Sequence, residues 1–230
     1  QYISIDGSMS RSWIFPLYCF VIWLSDKWHN NPSVKWSFLI GITCGIAIIS
    51  RPTELIMLFI PVLWSSKSVS MSSKWALIKS NWKLLFFAVL GGLIGILPQL
   101  IYWKYVTGNF IYDVGSKWYF LNPWFRVLFG FYSGWFVYTP ITIVYIIGFW
   151  FMKDKPFKIS VITFCLLNIW IITAWSDWKY GVSYSGRALS QASPIYALSL
   201  AAFLDRFYQG KLKYYFILIS LILIAVNIYQ

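Results

Sequence analysis

The sequence predicts an all-α protein, a polytopic transmembrane bundle of about eight helices. Of the 230 residues, 59% are hydrophobic and only 11% are charged, whereas a soluble domain carries about 25% charged residues. The mean hydropathy is +0.65, which indicates a membrane protein in the same way. A membrane β-barrel is excluded because the apolar runs lack the alternation of apolar and polar residues that its strands need.

Eight apolar runs predict helices that cross or enter a hydrocarbon layer of about 30 Å. They lie at 12–25, 37–50, 54–64, 84–103, 137–152, 159–175, 194–205 and 214–229. Together they predict a single transmembrane domain over residues 1–230. Because the chain starts with Gln and stops at the end of an apolar run, we expect a fragment of a longer protein with further spans on its N-terminal side.

The second and third predicted helices form a short, re-entrant-like pair over 37–64. Pro52 ends the first of them, because the residue before a proline is pushed out of the α region. Thr53 is expected to cap the returning helix. A helix of about 14 residues spans about 21 Å, so the turn is predicted near or slightly below the outer interface. An arginine at that depth, Arg51, indicates function; a structural ion pair with Glu54 is the alternative.

Two longer segments are not predicted to cross the membrane. The inner one, 65–83, is rich in serine and lysine, and its second half predicts a short interfacial helix. The outer one, 104–136, is rich in tryptophan, tyrosine and glycine and predicts interfacial helices and loops. The helix between them, 84–103, carries three glycines, which allow a neighbouring helix to approach closely.

The lysines and arginines predict the orientation, because cytoplasmic segments collect them. If the first residues lie outside, the inner segments are 26–36, 65–83, 153–158 and 206–213. They hold 12 of the 19 cations, and the outer segments hold 7. After subtraction of the carboxylates the inner segments carry +9 and the outer ones +3. The net charge of +12 does not indicate nucleic acid, because the cations form no continuous basic face. Membrane lipids are the predicted partners of these cations.

The most polar stretch of the chain is the loop 175–187, between two apolar runs on the predicted outer side. It combines a carboxylate, two cations and two tyrosines with glycines and serines. Arg51 lies on the same predicted side, and so does Asp6. Arg11 either extends to the membrane interface as a structural residue or frames the mouth of an outer cavity together with Asp6. The loop is therefore the leading candidate for a functional site.

Three pieces of the sequence resemble the GT-C glycosyltransferases, the superfamily of bacterial protein mannosyltransferases and aminoarabinose transferases. They are the run 41–53 that ends in Ser-Arg-Pro-Thr, the run Gly-Trp-Phe-Val-Tyr-Thr-Pro over 134–140, and the polar loop with the helix that follows it. The resemblance covers nearly the whole chain in order. The chain departs from the pattern at Lys179, where a second aromatic is usual, and at Ser185, where a glutamine usually precedes the arginine.

The resemblance implies a multi-pass enzyme of the bacterial cytoplasmic membrane that transfers a sugar from a polyprenyl-phosphate donor on the extracytoplasmic side. It implies phosphate binding by Arg51 and Arg187 with Lys179, because an arginine fork matches phosphate oxygens. The residues implied to contact or orient the sugar are Asp177, Tyr180, Tyr184, Glu54, Asp6 and Tyr138. Both arginines are expected to serve one phosphate.

No catalytic residue is assigned, because the superfamily's catalytic carboxylate lies in a first outer loop that is expected to precede this chain. No cofactor is indicated, and a divalent cation stays open. The three cysteines fall in apolar runs without the spacing of metal ligands, so no zinc site is predicted.

Two other functions stay open. A transporter or flippase of lipid-linked or small solutes uses similar cations, and it predicts ionisable residues in the central parts of spans. A non-catalytic subunit that holds partner helices predicts no outer cavity. A hydrolase is disfavoured because the chain has one histidine, His29, and no Gly-x-Ser-x-Gly elbow.

Overall fold

The computed structural model describes residues 10–65, 71–112, 115, 117–120, 124–132, 134–176, 186–208 and 212–229. Within these residues the regular structure is helical, with no strand, and the all-α prediction is confirmed for this part of the chain. The chain divides into two compact units, Gln1–Ser116 and Lys117–Gln230. Each unit is described by itself.

The described residues of the first unit form five α-helices and one 3-10 segment. The α-helices are α1 Ser10–Asn30, α2 Val34–Ser50, α3 Phe59–Leu63, α4 Met71–Ser80 and α5 Trp82–Thr107, and the 3-10 segment Pro52–Leu58 leads into α3. Helix α1 extends five residues beyond its predicted end because the next proline after that end is Pro32. Helix α4 corresponds to the short helix predicted in the inner segment.

One face of α1 is buried along its whole length. Ile14, Tyr18, Val21 and Trp28 lie at intervals of three, four or seven residues and are at most 5% exposed. This spacing places them on one side of an α-helix. The helix packs against α2 and α3.

Helices α2 and α5 are in backbone contact at glycines. A Cβ atom added to Gly91 would lie 2.3 Å from the carbonyl oxygen of Phe38, and one added to Gly95 would lie 3.0 Å from that of Ile42. Since both positions advance by four residues from one contact to the next, α2 and α5 run parallel. The glycines of α5 have the predicted packing role.

Helix α5 is the one helix of the described part that is long and apolar enough to cross a membrane. It has 26 residues, and an 18-residue window within it has a mean hydropathy of 2.3 with 11% of the window buried. At 1.5 Å per residue it is about 39 Å long. Its apolar side chains are therefore mostly exposed, unlike those of a core helix in a soluble protein.

The second unit contains the remaining helices of the described part. They are α6 Trp124–Phe129, α7 Trp135–Tyr138, α8 Ile143–Gly148, α9 Lys158–Ala174, α10 Ser193–Phe207 and α11 Leu212–Tyr229, with 3-10 segments at Pro140–Thr142, Phe149–Met152 and Arg187–Ala192. The prediction of one continuous helix over 137–152 is wrong. The α-helix is interrupted at Thr139, because Pro140 disfavours the α conformation in the residue before it.

Helices α8 and α10 also run parallel and in close contact. The rings of Tyr145 and Tyr196 stack with centroids 5.7 Å apart, and a Cβ atom on Gly148 would lie 2.2 Å from the carbonyl oxygen of Ser199. The offset is 51 residues at both contacts. Helix α9 connects α8 to α10 in the sequence and leads the chain back to the end from which α10 starts.

Two adjacent glycines of α5 provide a matched test of the α2–α5 contact. We expect Gly91→Ala to lower the free energy of unfolding by about 1–3 kcal/mol, because the new methyl group has no room. Gly92→Ala is the control, since its Cβ atom would meet nothing closer than 3.7 Å, and it gains up to about 1 kcal/mol of helix propensity. Denaturant titration of the purified chain in detergent measures both, and equal effects would contradict the contact.

Candidate functional site

The first unit buries a carboxylate inside its helices. Glu54, in the 3-10 segment, is 1% exposed, and its Oε2 accepts a hydrogen bond from the hydroxyl of Tyr18 on α1. Tyr18 is itself 0% exposed. A carboxylate in such surroundings requires a hydrogen-bond donor or a countercharge, and Tyr18 supplies the donor from another helix.

Arg51 occupies the turn between α2 and the 3-10 segment. Its backbone is extended, with φ −154° and ψ 121°, and it is at once the C-cap of α2 and the N-cap of the segment that starts at Pro52. Its amide donates to the carbonyl of Ala47 at 3.0 Å, and its carbonyl accepts from the amide of Glu54 at 2.9 Å. The prediction that Thr53 is the N-cap is wrong, since the proline lets the new helix begin two residues earlier.

The guanidinium of Arg51 is half-buried and interacts electrostatically with the Glu54 carboxylate. The predicted alternative of a structural Arg51–Glu54 pair therefore describes part of the geometry. The Glu54 carboxylate also accepts a hydrogen bond from Tyr18, so Arg51 is not the only residue that stabilises this carboxylate. Sequence reasoning missed Tyr18, which stands in an apolar run; the signal available was its position on the apolar face of α1.

The Tyr18–Glu54 bond also gives the depth of the Arg51 turn relative to α1. Tyr18 lies eight residues after Ser10, where α1 begins, which corresponds to about 12 Å along the helix axis. The turn that carries Arg51 is therefore level with the interior of α1 rather than with its end. If α1 spans a membrane as predicted, an arginine at this level lies in a medium of low polarity, where its contact with an anion is strengthened.

In the second unit, one end of the polar loop 175–187 is held by backbone pairing. Trp175 forms an isolated antiparallel bridge with Trp118. The amide of Tyr119 donates to the carbonyl of Ala174 at 2.6 Å, and the amide of Ser176 donates to that of Lys117 at 3.0 Å. The start of the loop is thus fixed to residues 117–120.

The other end of the loop is held by a glycine contact. Gly186 is buried, and a Cβ atom there would lie 2.8 Å from Cβ of Trp135 in α7. This contact joins two of the three pieces that carry the resemblance. It places Arg187 at the start of the 3-10 segment Arg187–Ala192, half-buried, with its Nε atom inside the unit.

An aromatic cluster supports this arrangement from within the second unit. The Trp135 ring lies 5.3 Å from the ring of Tyr196 on α10, which stacks on Tyr145 of α8. The Tyr196 hydroxyl donates to Oδ1 of Asn168 on α9 at 3.2 Å. Tyr196 and Asn168 are at most 1% exposed, so α7, α8, α9 and α10 meet at one satisfied polar contact.

The remaining predicted site residues are distributed as follows. Tyr138 is half-exposed and its hydroxyl donates to the carbonyl of Phe131. Asp6, Asp177, Lys179, Tyr180 and Tyr184 lie outside the described residues, and their roles stay predictions. Arg51 belongs to the first unit and Arg187 to the second, and their service to one phosphate stays a prediction as well. Among the described residues no group of three potential metal ligands comes together.

The chain was compared with known protein families, with curated proteins and with solved structures, and none of them matches it significantly.

The Tyr18–Glu54 bond predicts a specific loss of stability. We expect Tyr18→Phe to lower the free energy of unfolding by about 1–3 kcal/mol, because a buried carboxylate loses its donor while the ring is kept. Tyr105→Phe is the control, since Tyr105 is 90% exposed, and a change within about 0.5 kcal/mol is expected there. Denaturant titration in detergent distinguishes the two, and a Tyr18→Phe protein as stable as the control would refute the bond.

Proposed function

We propose that the protein is a multi-pass membrane glycosyltransferase that takes a sugar from a polyprenyl-phosphate donor on the outer side of a bacterial cytoplasmic membrane. The observation that carries the proposal is Arg51, an arginine at a turn level with the interior of α1, behind which a buried Tyr18–Glu54 pair is already hydrogen-bonded. A phosphate group at the membrane surface is the anion that such an arginine fits best.

The proposed location in a membrane is supported by exposed apolar surfaces, which are unfavourable in water. Large apolar side chains are exposed along α5 and along α11, among them Phe86, Val89, Leu93, Leu218 and Ile222. Soluble monomers rarely expose contiguous apolar patches of this size. Lipid contact gives both helices a favourable environment.

The predicted alternation of spans is supported by helix directions inside each unit. Helices α2 and α5 run parallel, and so do α8 and α10, as expected when one span separates each pair. The predicted inner segments also meet: Lys155, after α8, forms an ion pair of 2.9 Å with Asp205 near the end of α10.

The proposed chemistry requires positive charge at the leaving phosphate. When the acceptor oxygen attacks the sugar carbon, negative charge develops on the lipid phosphate, and a fixed arginine fork stabilises it without reorganisation. Arg51 is held by hydrogen bonds of its own backbone at a helix junction, and Arg187 by the buried Gly186. These two side chains are the proposed phosphate contacts.

The proposal is tested with the lipid that every such donor has in common. We expect Arg51→Ala and Arg187→Ala each to weaken the binding of a short-chain polyprenyl phosphate, and to lower transfer from polyprenyl-phosphate sugars roughly 100-fold. Arg51→Lys is expected to recover only part of the binding, because an ammonium lacks the bidentate fork. Native mass spectrometry in detergent measures binding, and transfer of labelled sugar in membranes measures activity.

Arg126→Ala is the matched control, since Arg126 is exposed on α6 in the predicted outer segment. It is expected to leave binding and transfer unchanged. If the Arg51 and Arg187 variants bind polyprenyl phosphate as well as the Arg126 variant does, the proposed phosphate site does not exist.

A solute transporter is the second candidate, favoured by one observation. Glu54 is an ionisable group buried within the helices of the first unit, as a transporter would have on its passage. Glu54→Gln separates the two functions: we expect it to abolish pH-driven uptake of solute into proteoliposomes if the protein is a transporter. If the protein is the proposed transferase, the same variant is expected to retain the binding of polyprenyl phosphate, because Arg51 remains.

A further inference from the structure

At the predicted inner end of the first unit, two titratable side chains are buried that the proposed function does not use. His29, in the last turn of α1, is 2% exposed, and Lys74 of α4 is 0% exposed. Their atoms Nε2 and Nζ have no hydrogen-bond partner in the part of the chain that the structure describes. Both residues fall in segments predicted to face the cytoplasm, although 45 positions separate them.

His29 has a fixed tautomer. Its Nδ1 lies 2.9 Å from the carbonyl oxygen of Ser25, which can only accept, so Nδ1 carries the proton. Burial lowers the pKa of His29, and the charge of Lys74 lowers it further against the opposing effects of the Ser25 carbonyl and Asp26. The ring is therefore neutral at pH 7, and Nε2 presents a lone pair that accepts a hydrogen bond.

Lys74 is a buried cation that no carboxylate of the described residues pairs with. Burial lowers its pKa to about 8, so most molecules still carry the charge at pH 7. Asp26, the carboxylate that acts on His29, accepts hydrogen bonds from Trp64 at 3.5 Å and from Asn30 at 3.2 Å. The ring of Trp75 lies 5.1 Å from Nζ, which favours the charge but accepts no conventional hydrogen bond. An ammonium in this position is unfavourable unless an anion joins it.

The two buried groups require different chemical groups in a ligand. Lys74 needs a negative charge with acceptor atoms, and His29 needs a hydrogen-bond donor. The imidazole and the ammonium interact electrostatically, and the chain that leads into α4 is held against the last turns of α1, where the Trp64 indole donates to Asp26 at 3.5 Å. A ligand that meets both has an oxyanion with a hydroxyl group beside it.

We propose that His29 and Lys74 form a binding site for a phosphate group that carries an adjacent hydroxyl. Inorganic phosphate has the oxyanion and the hydroxyl on one phosphorus, and the headgroup of phosphatidylglycerol has them on its phosphodiester and its glycerol. Sulfate supplies the charge but has no hydroxyl at pH 7. The inference stands on the first unit alone and does not depend on the proposed sugar transfer.

The single histidine of the chain makes the site directly observable. The full chain is labelled with ring-¹⁵N histidine, purified without a histidine tag in an uncharged detergent, and titrated with inorganic phosphate or with sulfate. In parallel it is placed in nanodiscs of phosphatidylglycerol or of phosphatidylcholine. We expect a saturable shift of the one Nε2 resonance with phosphate or with phosphatidylglycerol, and none with sulfate or with phosphatidylcholine.

The two positive arms identify the source of the phosphate group. A shift with free phosphate assigns a small anion, whereas a shift confined to phosphatidylglycerol assigns a lipid headgroup. Either result supports the site. No shift in either arm, or an equal shift with sulfate, overturns it.

Variants of α4 test the part played by Lys74. Lys74→Met keeps the length of the side chain and removes the charge, and we expect it to weaken the response about tenfold or more. Lys74→Arg keeps the charge and is expected to retain the response. Lys79→Met, at an exposed position of the same helix, is the control. An unchanged response in the Lys74→Met protein overturns the proposal, as does an equal loss in the Lys79→Met protein.

Discussion

The close approach of α2 to α5 is the constraint on which the first unit depends. Where Gly91 and Gly95 face Phe38 and Ile42, backbone meets backbone, and no side chain larger than hydrogen fits. This contact holds one side of α2 while α1 packs on α2 as well. Arg51 is the C-cap of α2, so the position of α2 determines where the Arg51 side chain begins.

The positions of the buried polar side chains follow from their need for hydrogen-bond partners. In an apolar bundle a buried polar group has no water to bond with, and the protein must satisfy it. Glu54 finds Tyr18, and Asn168 finds Tyr196; each pair ties together helices that are distant in sequence. His29 and Lys74 depart from this rule at the predicted inner end, and that departure indicates a ligand there.

The positions of the helices could largely be predicted from the sequence, because apolar runs and helix breakers act locally. Helix ends were harder to predict. Helix α1 continues to Asn30 because no proline lies between Pro16 and Pro32, and α7 is separated from α8 because Pro140 follows Thr139. The candidate site was predictable only in part. Arg51 and Glu54 stand out as charges at a turn, but Tyr18 gave no signal beyond its place on an apolar face.

The sequence by itself determined the helical class, the order of the helices, the predicted side of each charged segment and the turn at Pro52, since composition and local sterics govern all of these. Only the tertiary structure decided which residues meet: Tyr18 with Glu54, and Trp135 with Gly186. These contacts join residues 36 to 51 positions apart. They follow from the register between packed helices, which side-chain volumes across the whole interface determine.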